Sequence, residues 1–113
     1  MKRDEFARNL MAGMSGLMVL DLLREGPGYG YGLRQRICQQ SHHALQWQDG
    51  TLYPVLRRME KQGLVTSAWE SPPTGRRRRY YRLTPRGQRT WSVQRQKWLC
   101  FSGAVNAVLA LRA

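Results

Sequence analysis

The chain has 113 residues and is 42% hydrophobic, which allows one small domain with a modest core. Its formal charge of +12 at pH 7 favours a polyanionic partner. The opening MKRDEFARNL makes a poor signal peptide, and apolar runs stay short of the ~20 residues of a membrane span, so no membrane partner is expected. The two distant cysteines, Cys38 and Cys100, predict reduced thiols in a cytoplasmic protein.

Two helices are predicted in the N-terminal part. From Leu10 to Arg24, apolar residues recur at helical spacing, and Gly26-Pro27-Gly28 ends the pattern. The segment Tyr29-Gly30-Tyr31-Gly32 opens a shorter helix that extends to about Ser41. Its glycines favour close packing on a neighbouring helix, and approach to a phosphate is the alternative. A short strand is predicted over Ala44–Gln48.

A third helix is predicted from Asp49, a good N-cap, to Gly63, whose residue type ends helices. Its inner face is predicted from four apolar residues at i, i+3, i+4 and i+7: Leu52, Val55, Leu56 and Met59. Pro54 lies slightly later than a proline is usually tolerated, so an irregular helix start is expected. The outer face is polar and basic.

A hairpin and a long helix complete the chain. Strands are predicted at Leu64–Glu70 and Arg77–Leu83, joined by a turn at residues 71–75. Thr84-Pro85 reads as an N-cap followed by proline, and the last helix is predicted to extend to about Leu111. The fold class is therefore mainly α with a small β-hairpin. Residues 1–84 would form a winged helix-turn-helix, and residues 85–113 a dimerisation helix.

The positive charge is concentrated on the third helix, the hairpin and the start of the last helix. From Arg57 to Lys97 there are twelve Lys and Arg residues against two acids, Glu60 and Glu70. This is the pattern of a nucleic-acid-binding face, and a solvated charged surface is the alternative. The candidate DNA contacts are Tyr31, Gly50, Thr51, Tyr53, Arg57, Arg58 and Lys61, with Gly75, Arg76, Arg77 and Arg78 at the hairpin tip.

Chemistry suggests roles for three residues of the third helix. Thr51 would bond a base edge or pack on a thymine methyl group, and Arg57 would bond guanine in bidentate fashion. Tyr53 would bond a phosphate. In the hairpin turn, adjacent arginines repel each other unless anions lie nearby. Alternation would place Arg76 and Arg78 on one face, and Arg77 and Arg79 on the other.

The last helix carries a heptad stripe of large apolar residues, for which a dimer interface is predicted: Trp91, Trp98, Phe101, Val105 and Val108. Packing is the favoured interpretation, and the alternative is an aromatic slot for a flat ligand at the dimer interface, with Trp91 and Trp98 as the ligand-binding residues. His42 and His43 are expected to be exposed, with no metal role. No nucleophile–base pair, carboxylate dyad or phosphate loop is visible in the sequence, so we expect neither an enzyme nor a cofactor.

Three segments resemble the PadR-like transcriptional regulators: LDLLREGPGYGYGL, DGTLYPVLRRMEKQGLV and GRRRRYYRLTPRGQ, which together cover residues 20–88. The short C-terminal helix is similar to that of the smaller subfamily. The resemblance implies a homodimeric winged-helix repressor that responds to small aromatic or cationic compounds. It implies DNA contacts for Thr51, Tyr53, Gly75 and the arginines that follow. Trp98 matches a tryptophan at the dimer centre of multidrug-binding members, and the additional Trp91 is a departure from them.

The sequence thus predicts a cytoplasmic homodimeric repressor that binds a near-palindromic operator in double-stranded DNA. The third helix would enter the major groove, and the arginine-rich wing, residues 71–79, would contact the backbone or the minor groove. A small-molecule inducer at the dimer interface is a further expectation. The alternatives are a DNA- or RNA-binding architectural protein without sequence specificity, and a protein-interaction module that keeps the winged fold.

Overall fold

The computed structural model describes residues 5–110 of the chain. The described residues form four helices and three strands: α1 (Glu5–Leu23), β1 (Gly28–Tyr29), α2 (Gly30–Gln40), α3 (Asp49–Lys61), β2 (Val65–Glu70), β3 (Arg78–Leu83) and α4 (Pro85–Val108). The architecture is mainly helical with a small antiparallel sheet, in the order of a winged helix followed by a long C-terminal helix. The predicted fold class is confirmed.

Helices α1, α2 and α3 enclose the core. Each contributes one apolar face, with these residues buried: Val19, Leu20, Leu22, Leu23, Leu33, Ile37, Leu52, Val55, Leu56 and Met59. All four residues of the inner face predicted for the third helix are among them. Helix α1 begins at Glu5, five residues before the predicted start at Leu10, because the intervening residues include no helix breaker.

Within residues 5–110, α1 is the one helix whose length and apolar composition would also allow a membrane span, although the sequence analysis expects none. Core helices of globular proteins have the same length and apolar composition, so this feature is weak evidence for a membrane span. The C-terminal half of α1 packs inside the domain through Val19, Leu20 and Leu23. Packing in the core therefore accounts for that half of its apolar composition.

Local features define both ends of helix α3. Its N-cap is Gln48 and not Asp49 as predicted; Asp49 is the first helical residue. The Asp49 carboxylate lies 3.1 Å from Arg34 Nε and forms an ion pair with it, but the two groups are poorly aligned for a hydrogen bond. The negative charge of Asp49 in the first turn also stabilises the helix through its dipole. The first turn closes through Thr51 N–H to the Gln48 carbonyl at 3.0 Å. At the other end Gly63 adopts a φ of 76°, which favours glycine and ends the helix as predicted.

The sheet contains a strand that the sequence analysis missed. Its order is β1-β3-β2, and β1 pairs Gly28 with Tyr81 and Tyr29 with Tyr80. A strand of two residues is too short to show alternation in a sequence.

The prediction of a strand at residues 44–48 is wrong, because this segment is a bend followed by irregular chain. His42 and His43 before it have left-handed φ values of 54° and 67°, which turn the chain after α2. The Ser41 hydroxyl then accepts a hydrogen bond from the Leu45 N–H at 3.0 Å and fixes this turn. Trp47 follows and is buried in the core.

Helix α4 is anchored at its start and exposed beyond it. The Thr84 hydroxyl accepts a hydrogen bond from the Gly87 N–H at 3.0 Å, so the predicted N-cap and the proline after it are confirmed. Trp91 Nε1 donates to Asp21 Oδ1 of α1 at 2.8 Å. The helix ends at Val108, earlier than the predicted Leu111, which lies outside the described residues. From Ser92 onward nearly every described residue of α4 is exposed.

Candidate nucleic-acid interface

A concave surface lies between α3 and the wing. We call it the α3–wing groove; its lining residues are Tyr29, Gly30, Tyr31, Tyr53, Arg57, Glu60, Trp69, Gly75, Arg76, Arg77, Arg78, Arg79 and Tyr81. Five arginines and one carboxylate give it a strongly positive character. The folded chain therefore brings the arginine run of the wing beside a basic residue of α3, as a polyanion-binding surface requires.

The wing arginines lie on both faces of the hairpin. Arg77 and Arg79 both place their guanidinium carbons 5.8 Å from the centre of the Trp69 ring. Arg78 lies on the opposite face, 4.3 Å from the centre of the Tyr29 ring. This is the alternation expected from the sequence, and it spreads positive charge along both sides of the wing. Gly75 at its tip has a φ of 104°, a conformation that favours glycine.

Glu60 is a carboxylate inside the positive groove. It accepts a hydrogen bond from the Ser67 hydroxyl at 2.8 Å and lies 3.9 Å from Arg79 Nη2. Arg79 is thereby partly neutralised and oriented, unlike the more exposed Arg76 and Arg77. Burial raises the pKa of the Tyr81 phenol, and the nearby Arg79 opposes this shift. Tyr81 therefore stays neutral beneath the arginines.

Tyr53 of α3 packs against the start of α2. A Cβ atom at Gly30 would lie 2.2 Å from the Tyr53 hydroxyl oxygen and 2.7 Å from its Cζ, so any larger residue there would force the Tyr53 ring to move. Close packing, the favoured interpretation of the glycine pair, is thus the role of Gly30. On the same helix Tyr31 is 54% exposed and accepts a hydrogen bond from Gln35 Nε2 at 2.9 Å.

The groove gathers some of the predicted DNA contacts and leaves out others. Those that line it are Tyr31, Tyr53, Arg57, Gly75, Arg76, Arg77 and Arg78. Gly50, Thr51, Arg58 and Lys61 do not line it. A Cβ atom at Gly16 would lie 3.9 Å from Arg58 Nη2, so the Arg58 side chain extends toward α1. Gly50 and Thr51 lie in the first turn of α3.

Six residues that line the groove were not among the predicted site residues: Tyr29, Gly30, Glu60, Trp69, Arg79 and Tyr81. Trp69 is on the same strand face as Ser67 and lies directly opposite Arg79 in the β2–β3 register. A half-exposed tryptophan in a strand resembles an ordinary packing residue in sequence, so only the fold reveals its place beside the arginines. Glu60 is one acid within a basic helix and carries no sequence motif.

The stripe predicted as a dimer interface has two different environments. Trp91 is half-buried against α1, where the Arg24 guanidinium carbon lies 3.9 Å from its ring centre. Trp98 is 42% exposed and Val108 is 85% exposed, with Phe101 and Val105 also exposed. Trp91 and Trp98 both line a cavity of about 340 Å³ between α1, α2 and α4.

Residues 5–110 contain no group of three or more His, Cys, Asp or Glu side chains that could hold a metal ion. The nearest approach to such chemistry is Cys38 Sγ, which lies 3.2 Å from His43 Nδ1. Both predicted exposed histidines, His42 and His43, are exposed.

Comparison with known proteins places these features in a family. The model of the transcriptional regulator PadR-like family matches residues 19–93. Transcriptional regulator Rv3488 of Mycobacterium tuberculosis is 35% identical over 80 residues, which cover 71% of each chain. A transcriptional regulator structure from Clostridium thermocellum is 28% identical with a TM-score of 0.81, covering 88% of this chain and 96% of the other.

A PadR family regulator structure from Eggerthella lenta is 34% identical with a TM-score of 0.77, covering 92% of this chain and 88% of the other. The family match spans the end of α1, then α2, α3, the wing and the start of α4. It also accords with the resemblance that the sequence motifs indicate. The family consists of transcriptional regulators and not of enzymes, and DNA-binding regulation is the activity it implies. The chain belongs to the PadR-like family of transcriptional regulators.

Proposed function

We propose that the chain is a cytoplasmic repressor that binds a near-palindromic operator as a homodimer. In each half-site α3 enters the major groove, and the wing grips the phosphate backbone or the edge of the minor groove. The observation that carries the proposal is the α3–wing groove, where Tyr53 and Arg57 share one concave surface with Arg76, Arg77 and Arg78. A DNA strand lying in this groove would be held from two sides.

The proposed contacts are of two kinds: contacts with base edges, which recognise sequence, and contacts with phosphates, which position the protein on the DNA. Arg57 is exposed on the groove side of α3 and is the candidate for bidentate recognition of guanine. Thr51, in the first turn of α3, is the candidate for a base edge or a thymine methyl group. Tyr31, Tyr53 and the wing arginines would contact phosphates, which fixes register without reading sequence. Gly50, Arg58 and Lys61 remain peripheral candidates, since they lie outside the groove.

Dimerisation through α4 is supported by its exposed apolar stripe. Trp98, Phe101, Val105 and Val108 expose large apolar surfaces along one helix, and such surfaces are usually covered by a partner. A second copy of α4 would bury them around a two-fold axis. With one winged domain per half-site, half-site centres about one helical turn apart, ~34 Å, would suit this dimer.

A small aromatic or cationic inducer is the second part of the proposal. The cavity of about 340 Å³ beside Trp91 and Trp98 lies within the size range of small-molecule sites, and the carboxylate of Asp21 lines it. A flat ligand between the aromatic rings would alter the packing of α4 on α1. Since α4 would also carry the dimer interface, the ligand would change the spacing of the two α3 helices.

The test is a comparison of affinities for three nucleic acids. Fluorescence anisotropy would measure binding to the duplex upstream of the chain's own gene, to a random duplex of equal length, and to a single-stranded RNA. The proposal expects markedly tighter binding to the first, and a reporter driven by that duplex should be repressed. Equal affinity for all three would instead favour the architectural nucleic-acid binder.

A further inference from the structure

We infer that Trp69 is itself a DNA contact, and that its indole ring packs on a deoxyribose of the strand lying in the α3–wing groove. The inference rests on the proposed DNA binding and names a contact within it. Trp69 is 54% exposed, whereas Trp47 is buried in the core. Leaving half of a large aromatic side chain in water forfeits apolar burial, and a ligand would recover it.

The surroundings of Trp69 define the chemistry of that ligand. The guanidinium carbons of Arg77 and Arg79 lie 5.8 Å from its ring centre, two residues apart on the same strand face. The surface therefore offers an apolar platform with two guanidinium groups close to it. A nucleic-acid strand has the complementary pattern, since each sugar lies between two phosphates. Phosphates paired with Arg77 and Arg79 would bring the intervening sugar over the indole.

The position of Trp69 favours the backbone over the bases. The strand that separates the major groove from the minor groove must pass between α3 and the wing when each enters its own groove. Trp69 lies on β2 in the concave surface that Arg57 of α3 and Gly75 of the wing also line. A side chain in that position meets the sugar–phosphate chain, whereas the base edges face α3 and the wing tip.

Glu60 prepares one side of this platform. Its carboxylate, held by the Ser67 hydroxyl, lies 3.9 Å from Arg79 and so limits the positions that this guanidinium can adopt. The Glu60 carboxylate thus favours the position of Arg79 beside the indole ring. Arg77 is exposed, and within residues 5–110 its one described side-chain interaction is with the Trp69 ring.

The test measures affinity for the preferred duplex and a random duplex in wild-type, Trp69→Ala, Trp69→Phe and Arg77→Ala proteins. Trp69→Ala should weaken both complexes equally, by about tenfold for each protomer and so about a hundredfold for the dimer, the loss expected when ~60 Å² of apolar contact is removed from each wing. Its salt dependence should match the wild type because no ionic contact is lost, whereas Arg77→Ala should flatten it. Trp69→Phe keeps a flat ring and should retain most of the affinity.

Fluorescence supplies a second readout that does not require truncating the side chain. DNA should change the tryptophan emission of the wild type, and this change should be much smaller in Trp69→Phe. Wild-type affinity in Trp69→Ala with an unaltered emission response in Trp69→Phe would overturn the inference while leaving DNA binding intact. A loss confined to the preferred duplex would overturn the backbone assignment. Failure of the wild type to bind any duplex would instead refute the proposed function.

Discussion

The contact between Gly30 and Tyr53 allows a prediction about how α2 positions the DNA-facing side of α3. In Gly30→Ala, the new methyl carbon would lie 2.2 Å from the Tyr53 hydroxyl oxygen and 2.7 Å from Cζ. Non-bonded atoms prefer about 3.5–4.0 Å, so the ring must move by roughly 1 Å or more. Overpacking of this kind costs about 1–3 kcal/mol of unfolding free energy. The displaced ring would also leave its place in the groove and weaken DNA binding.

A double-mutant cycle isolates this contact. Urea unfolding of the wild type, Gly30→Ala, Tyr53→Ala and the double variant gives the coupling energy between the two positions. Because Tyr53→Ala removes the ring that the new methyl group would meet, Gly30→Ala in the Tyr53→Ala background should cost little unfolding free energy or increase it. A matched control is Gly13→Ala in α1, where nothing lies within 4 Å of the new methyl group. If Gly30→Ala were as costly without the Tyr53 ring as with it, the packing argument would be refuted.

Three further predictions concern single side chains. Arg57→Ala should cost ~1–3 kcal/mol of binding free energy on the preferred duplex and less on random DNA, and equal losses would make Arg57 a phosphate contact. Trp98→Ala should cost ~3–5 kcal/mol at a packed dimer interface and shift sedimentation toward monomer, and a stable, DNA-competent dimer would contradict this packing. Because burial raises the pKa of Tyr81, wild-type stability should fall as pH rises through the ordinary tyrosine value of about 10. In thermal unfolding measured against pH, the Tyr81→Phe variant should lose less stability than the wild type above pH ~10. The same loss of stability in both proteins would contradict a raised pKa of Tyr81.

The sequence predicted correctly those structural elements that are determined by residues close together in the chain. The apolar spacing of Leu52, Val55, Leu56 and Met59 predicted the buried face of α3, and Thr84 with the proline after it predicted the start of α4. Each of these signals depends on residues within one or two helical turns. The same is true of Gly63, whose left-handed conformation ends α3.

Features that depend on tertiary contacts were missed or misplaced. Strand β1 exists because Gly28 and Tyr29 pair with β3, more than 50 residues later in the chain, and no local pattern marks it. The segment before α3 looked like a strand, but Ser41 fixes a turn there and Trp47 enters the core. Trp69 joined the candidate interface only when the register placed it opposite Arg79. Local propensity does not contain that information.

The division of α4 into two environments also required the fold. The heptad predicted one continuous stripe, yet Trp91 bonds Asp21 of its own chain at 2.8 Å, whereas Phe101 and Val108 are exposed. Periodicity indicates which residues share a face, but not which neighbour covers each part of it.

The salt dependence of DNA affinity tests the central claim most directly, because every phosphate neutralised by the protein contributes about −0.9 to the slope of log K against log salt. The slope should be measured for the wild type and for a variant with Arg76, Arg77 and Arg78 all replaced by alanine. Arg8→Ala, an exposed change on α1 outside the groove, serves as the charge control. The account predicts that the triple variant flattens the slope by about 4–5 units for the dimer, because two or three phosphate contacts are lost from each protomer, while the control leaves the slope unchanged. An unchanged slope and affinity in the triple variant would contradict the assignment of the wing as a DNA-binding element.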